Sequence, residues 1–441
     1  MDSIHLSGIF GKLVQKYQVP GAQLAFYGDG ELKTVEVGHQ QHGMSGPVTS
    51  RSAFPFGSVT KFVTATVAMQ FVSDGDIDLD EPVGKYAPEL SGGAFREVTL
   101  RQLLSHTAGL VTEVDCPEMR TSSFQKYAQA AARFDGIFPP GTAFSYSNVG
   151  YGVAAYLIER VSGMDWWSAV ETCLLRPLGI EPAFLHDPRP SAPRASIVAG
   201  HTVRLGDGTI KVVDLFLPLS ASGAGGLAGS AADLVTIACM HMSDQSRFDN
   251  ADLLPLEAAR EMQATVPGAD PFGLADEWGL GMMKYRAGER MWYGHDGTVD
   301  GTTCHLRIDP VDDIAFAMTA NGTTGMLLWD ELVTSLRNEG MEIGHYAPAV
   351  PDQAMDVDPA DYLGDYTNGD FTFVVSEEDN SGMALSRKDG FHVKLKIHEG
   401  DVFATVEEEI DAHAVHGQFV RDQINGAVTL LQYGGRSYRR T

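Results

Sequence analysis

The stretch FPFGSVTKFVTATVAM, Phe54 to Met69, constrains the fold more than any other part of the chain. From Phe62 to Val72 the residues are almost wholly apolar, so a helix carrying them is buried on most of its circumference. Lys61 then stands in the first turn of a buried helix, three residues after Ser58. A charge there needs a chemical reason, because an ammonium taken out of water without a partner is costly. Residues three apart share a helix face, which brings the serine hydroxyl and the lysine amine within hydrogen-bond reach. Burial lowers a lysine pKa, and a neutral amine can accept the serine proton. Backbone N–H groups at the helix start favour a developing oxyanion, and Gly57 leaves room for a substrate. Taken alone, Ser-x-x-Lys more often marks an N-cap followed by a solvated lysine.

A length of 441 residues allows one large domain or two, and 44% apolar with 20% charged residues is the composition of a folded globular chain. The net charge of −26, with no basic run, sets nucleic acid aside as a partner. The N-terminus shows no secretory signal pattern and no apolar window long enough to span a membrane occurs, so a cytoplasmic location is expected. Cys116, Cys173, Cys239 and Cys304 are scattered without a CxxC pair and are expected to be reduced, buried thiols. His39 and His42 have helical metal-ligand spacing but sit in a glycine-flanked loop without an obvious third ligand; no metal and no cofactor is expected.

Along the chain, two strands joined at Gly28-Asp29-Gly30 open the fold from Val19. Helical periodicity dominates from Lys61 to about Cys239, strands return near Trp292, His305–Ile308 and Ile314–Met318, and a last helix covers about Leu327 to Asn338. Strand segments from both ends join most simply in one sheet with helices packed around it, an α+β domain over residues 1–345. Two prolines in YAPAVPDQ mark residues 346–355 as a linker. Residues 356–441 read as a small antiparallel β-barrel built from the runs FTFVVSEE, MALSRKD, FHVKLKIHEG, DVFATVEEE, HGQFVRD and AVTLLQYGGRSYRRT.

Two further motifs accompany Ser58 and Lys61. In PPGTAFSYSNVGYGV, Tyr146 and Asn148 flank Ser147 and offer a phenol and a carboxamide to one cleft; in YGHDGTVDG, His295, Asp296 and Gly297 stand at what reads as the edge of a strand. Ser-x-x-Lys, Tyr-x-Asn and His-x-Gly in this order resemble the serine hydrolases of the β-lactamase and D-alanyl-peptidase clan, in its class C β-lactamase-like branch. The segments VPGAQLAFY, LRQLLSHTAGL and SGAGGLAGSAADL agree, and the resemblance covers about residues 8 to 340. It implies a β-lactamase/transpeptidase-like fold, with Ser58 as acylated nucleophile, Lys61 as its partner and Tyr146 sharing the proton work. Asn148 would hold Lys61 and a substrate carbonyl. The oxyanion hole would be the backbone N–H groups of Ser58 and Thr298, beside Gly297. Whether Lys61 or Tyr146 is the base stays open. His106, in LLSHTAGL, is expected to order a turn, and the glycines near Gly225 to form a wall or allow a close backbone approach.

Where β-lactamases usually carry a lysine in the third motif, this chain has His295, a poor grip for a carboxylate at neutral pH. Histidine there, followed by a lipocalin-like barrel, resembles the D-aminopeptidases and the penicillin-binding-protein-type thioesterases. That resemblance implies an acyl-enzyme hydrolase or acyltransferase for peptidyl substrates: a D-residue amide, an ester or a thioester on an acyl-carrier partner, with peptide release or cyclisation among the outcomes. A small-ester carboxylesterase or weak β-lactamase is the alternative from the same chemistry, and a non-catalytic binding protein of the same fold the alternative of another class. The barrel is expected to restrict the cleft, and Arg436, at the turn of its closing hairpin, either reaches the site to bind a carboxylate or carbonyl or is an ordinary surface arginine. A chain ending near Ala349 is expected still to acylate on small esters.

Overall fold

In the computed structural model the described residues are 3–114, 123–190, 196–243, 251–348, 350–351, 353–378, 382–405 and 416–441. A helix that the sequence reading missed comes first: α1 (Ser3–Lys16) lays Leu6, Phe10, Leu13 and Val14 into the core. These recur at helical spacing, so the stripe is amphipathic, and the expected opening hairpin follows it. That hairpin is β1 (Gly21–Gly28) and β2 (Glu31–Gly38), joined through Asp29 and Gly30, both at positive φ as a type I′ turn requires.

The helix α2 (Thr60–Ser73) is buried throughout its first ten residues, Lys61 included. Packed against it is α3 (Asn148–Ser162), whose N-cap Ser147 accepts a hydrogen bond from Gly150 N at 3.1 Å. The remaining sheet strands are β3 (Glu277–Trp278), β4 (Met283–Ala287), β5 (Arg290–Val299), β6 (Thr302–Asp309) and β7 (Ile314–Ala320), followed by α4 (Gly325–Asn338). All pair antiparallel in the order β2-β1-β7-β6-β5-β4-β3, so strands from the two ends of this region do join in one sheet. Between Lys61 and Cys239 the chain is less purely helical than expected, since Ala183–Phe184, the hairpin Gly200–Arg204 with Thr209–Val213, and Leu227–Gly229 are extended.

Register matters for the site. Strand β4 pairs with β5 only as far as Gly294, which faces Met283, whereas β5 and β6 remain paired out to Val299. Residues 295–299 therefore have one free side, and that side meets the short helical turn Gly57–Val59 ahead of α2. The approach is close enough to require glycine: a Cβ on Gly297 would sit 2.2 Å from Phe56 O and 2.9 Å from Ser58 N. On Gly57, which has φ +51°, it would sit 2.9 Å from Thr298 N.

After α4, eight strands close into an antiparallel barrel: β8 (Gly364–Asn368), β9 (Phe371–Glu378), β10 (Gly382–Arg387), β11 (His392–Ile397), β12 (Val402–Thr405), β13 (His416–Arg421), β14 (Val428–Tyr433) and β15 (Arg436–Arg440). Strand β8 was not foreseen, being short and polar, yet it closes the barrel by pairing Tyr366 with Arg440. Cys239 and Cys304 are buried free thiols, whereas Cys173 is half-buried, contrary to expectation; Cys116 and residues 406–415 lie outside the described residues. Among the described residues no helix is long and apolar enough to cross a membrane.

Candidate active site

Lys61 is wholly buried, and its Nζ lies 3.2 Å from Ser58 Oγ while donating to Ala224 O at 2.9 Å. Burial, reinforced by the Arg436 charge and partly countered by Glu113, holds its pKa well below the ordinary lysine value. Nζ also sits 4.8 Å from the centre of the Tyr146 ring. Tyr146 is buried, which raises its pKa, and a hydrogen bond with the Ser58 hydroxyl offsets part of that rise. The two groups are thus tuned in opposite senses, the amine toward losing its proton and the phenol toward keeping it, around one half-buried hydroxyl.

His106 places the phenol. It adopts φ +60°, accepts Ser147 N–H on Nδ1 at 3.0 Å and lies with its ring 4.3 Å from that of Tyr146. It orders the turn, as expected, and the turn it orders carries the second motif. Burial first, and then the lysine beside it, holds its pKa well below the ordinary histidine value. His295 is buried too, 6.3 Å from Tyr146 and 5.8 Å from Trp278 between ring centres. Burial first, then Lys61, pushes its pKa down to about 3, so this position supplies no cation.

Asp296 faces the other side of β5. Arg307 holds both its oxygens, at 2.7 and 3.0 Å, His305 Nδ1 lies at 2.8 Å and Tyr285 OH donates at 2.9 Å. Burial alone would push the Asp296 carboxyl up, but Arg307 and His305 hold it well below the usual carboxylate range. The strand segment that carries Gly297 and Thr298 past the Ser58 turn is anchored from behind by this network.

Asn148 departs from its expected place. Among the described residues the lysine is bonded to Ser58 and Ala224, and the Asn148 carboxamide instead donates to Glu113 Oε1 at 2.8 Å. Ala224 and Glu113 escaped the sequence reading. A main-chain acceptor carries no side-chain signal, and the glycine-rich segment containing Ala224 meets α2 through its backbone, Gly223 O accepting from Thr64 Oγ1 at 2.7 Å.

Arg436 reaches the site. Its guanidinium carbon is 5.8 Å from the Tyr146 ring centre, and Gly435 O accepts Tyr146 N–H at 2.9 Å. The barrel hairpin therefore lies along the second motif, with the Arg436 side chain half-buried beside Tyr146.

Ser58, Lys61, Tyr146, His295 and Arg436 thus converge, with Asn148 at the rim. The beta-lactamase family model matches residues 6–333 of this chain. The chain belongs to the beta-lactamase family. Members of this family are serine hydrolases. This beta-lactamase-family chain is 31% identical over 368 residues to penicillin-binding protein 4 of Amycolatopsis lactamdurans, covering 81% of this chain and 96% of that protein. Among solved structures it is similar to SurE, at 47% identity and a TM-score of 0.93, over 100% of this chain and 99% of that one. A D-stereospecific amidohydrolase from Streptomyces sp. matches at 25% identity and a TM-score of 0.58, over 77% of this chain and all of that one.

Proposed function

We propose that this chain is a serine acyl-enzyme hydrolase or acyltransferase for peptidyl substrates, with a D-residue amide, ester or carrier thioester as acyl donor. The observation that carries the chemistry is the buried Lys61 amine 3.2 Å from the Ser58 hydroxyl. Neutral Lys61 takes the Ser58 proton as Oγ attacks the acyl carbonyl, and the oxyanion is met by the N–H groups of Ser58 and Thr298 beside Gly297. Tyr146, kept protonated by burial, donates to the leaving group and is reprotonated through Lys61. Water then releases a free acid; an amine instead gives a new amide, which is the cyclised product when the amine belongs to the same peptide. Asn148 holds a substrate carbonyl, and neutral His295 shapes the cleft.

Arg436 supports the peptidyl part of the reading. Among the described residues its guanidinium has no carboxylate partner, so a carboxylate or carbonyl of the substrate can take its N–H groups. SurE has been solved with D-Leu, and that relative matches this chain at 46% identity with a TM-score of 0.90, which favours a D-residue at the acyl position. We divide the chain accordingly into a hydrolase domain (1–345), a linker (346–355) and the barrel domain (356–441).

The test is intact-mass detection of an acyl adduct on Ser58 across p-nitrophenyl esters, D-aminoacyl amides and peptidyl thioesters, with Ser58→Ala as control. An adduct of matching mass on the peptidyl donors, absent from Ser58→Ala, is expected. Turnover that survives in Ser58→Ala removes the mechanism, and adducts confined to simple esters remove the substrate class.

A further inference from the structure

The second motif is held by a segment that is itself held by the barrel. Thr112 O accepts the amides of Asn148 (2.9 Å) and Val149 (3.3 Å), two of the N–H groups that the start of α3 leaves unpaired. Ser147 Oγ donates to Val111 O at 2.8 Å, and Glu113 takes the Asn148 carboxamide. Residues 111–113 therefore fix Ser147 and Asn148 at several points.

What fixes 111–113 is Asn368, a residue of β8 that is 2% exposed. Its Oδ1 accepts Thr112 N–H at 2.8 Å, and its Nδ2 donates to Thr112 Oγ1 at 3.0 Å and to Ser437 O at 2.8 Å. Ser437 in turn grips the residues just before Tyr146: its Oγ donates to Phe144 O at 2.6 Å and its N–H to Ser145 Oγ at 3.1 Å. With Tyr146 N–H on Gly435 O, the barrel holds the Tyr-Ser-Asn motif from both sides, and one buried carboxamide joins the two grips. A buried amide whose polar atoms are all used in this way specifies one geometry, because each lost partner leaves an unsatisfied group.

We propose that Asn368 is a positioning residue for the second motif, so that the barrel completes the acylation site as well as bordering it. The proposal rests on the reading that Tyr146 and Asn148 serve acylation by Ser58. Its consequence for Lys61 has a definite sign. The charged and titratable groups facing that amine are Arg436, Glu113, His106, His295, Tyr146 and Tyr151, and the charge among them that favours the ammonium is that of Glu113. When 111–113 loosens and Glu113 withdraws, the lysine loses its proton more readily, and the acid limb of the pH–rate profile moves to lower pH.

The test uses full-length Asn368→Ala and Thr112→Val, with kcat, KM and the pH profile measured on a short p-nitrophenyl ester below each variant's Tm. Thr112→Val deletes only the hydroxyl that Asn368 Nδ2 bonds, and it carries the test where Asn368→Ala fails to fold. Expected is a kcat about tenfold or more lower in Asn368→Ala and a smaller drop in Thr112→Val, the size of a general acid–base group partly misplaced. KM should stay within about twofold, and the acid limb should shift downward in both. A lowered Tm with kcat and the acid limb unchanged in the folded variants overturns the proposal. Ser58→Ala, run alongside, separates the two claims: if it retains turnover the acylation reading fails, whereas an inactive Ser58→Ala beside unaltered Asn368→Ala defeats the positioning role alone.

Discussion

Replacing Arg436 with alanine separates recognition from chemistry, because the guanidinium touches the site from the barrel while the acylating groups lie before it in the chain. The side chain is half-buried and stacks over Tyr146 at 5.8 Å without a carboxylate partner among the described residues, so its removal leaves no buried anion unpaired. For a neutral short ester the loss is that of a cation–π contact, about 0.5–1 kcal/mol, or roughly two- to fivefold in kcat/KM. For a peptidyl donor that offers a carboxylate or carbonyl, a sheltered charge-assisted bond is lost as well, about 1.5–3 kcal/mol, or roughly 10- to 150-fold. Arg436 also depresses the Lys61 pKa, so its removal lets the lysine hold its proton to higher pH. The acid limb for both substrates should therefore move upward, opposite to the shift expected for Asn368→Ala. The assay is kcat/KM against pH for a p-nitrophenyl ester and a peptidyl thioester on wild type and Arg436→Ala. Equal losses on the two substrates would refute the recognition role, and an unmoved acid limb would refute the electrostatic one.

Three further outcomes follow from the same geometry. Lys61→Met should abolish turnover yet raise Tm at neutral pH: the folded-state pKa is depressed, unfolding takes up a proton below the ordinary lysine value, and the native lysine costs about 1.4 kcal/mol per pH unit until the folded pKa is reached. The Tm gain should shrink as pH rises toward about 10; a gain that is independent of pH contradicts the assignment. Tyr146→Phe should lower kcat by about 10²–10⁴-fold, the range of a general acid–base group, and a silent substitution would withdraw the proton role. Removing the barrel should harm even short esters, a prediction opposed to the expectation that a chain ending near Ala349 still acylates on them. Thr112 N–H, Tyr146 N–H and Ser145 lose their partners, and Ile137 and Phe138, packed on Leu430, are uncovered. Unchanged kcat/KM of the truncated chain on a p-nitrophenyl ester would show that the second motif is self-supporting.

How much of this was legible in the sequence depends on how far apart the cooperating atoms stand. Ser58 and Lys61 lie three residues apart at one helix start, so geometry follows from local periodicity alone. His295, expected at the edge of a strand, lies within β5; residues 295–299 meet the Ser58 turn because β4 stops at Gly294, and the end of a pairing partner leaves no mark in the strand itself. Helix α1 was passed over because Gly8 and Gly11 lower its propensity, yet both lie on an open face where a Cβ meets nothing within 4 Å, while Leu6, Phe10, Leu13 and Val14 carry the burial. Strand β8 was lost to its polarity, and one of its polar residues, Asn368, spends its carboxamide on Thr112 and Ser437 rather than on the barrel core.

The hairpin that carries Arg436 shows where local reading stops. Gly434 and Gly435, at φ +57° and +71°, form the two-residue turn that a Gly-Gly pair announces, so the turn was readable. Its destination was not. A Cβ on Gly435 would come within 2.1 Å of the Leu274 side chain, some 160 positions away, so glycine there suits the approach to that side chain as well as the turn, and the Gly435 carbonyl takes the amide of Tyr146, some 290 positions away. Both demands call for the same residue, and a single sequence cannot divide them. The steric one has a direct measure: in Gly435→Ala the strain of a positive φ alone costs about 1 kcal/mol, whereas displacement of the hairpin from Leu274 also moves Arg436 and the Tyr146 partner. A fall in kcat/KM that is larger for peptidyl than for simple esters, beyond what the change in Tm accounts for, is the expected result; loss of Tm with kinetics intact would assign that glycine to the turn only.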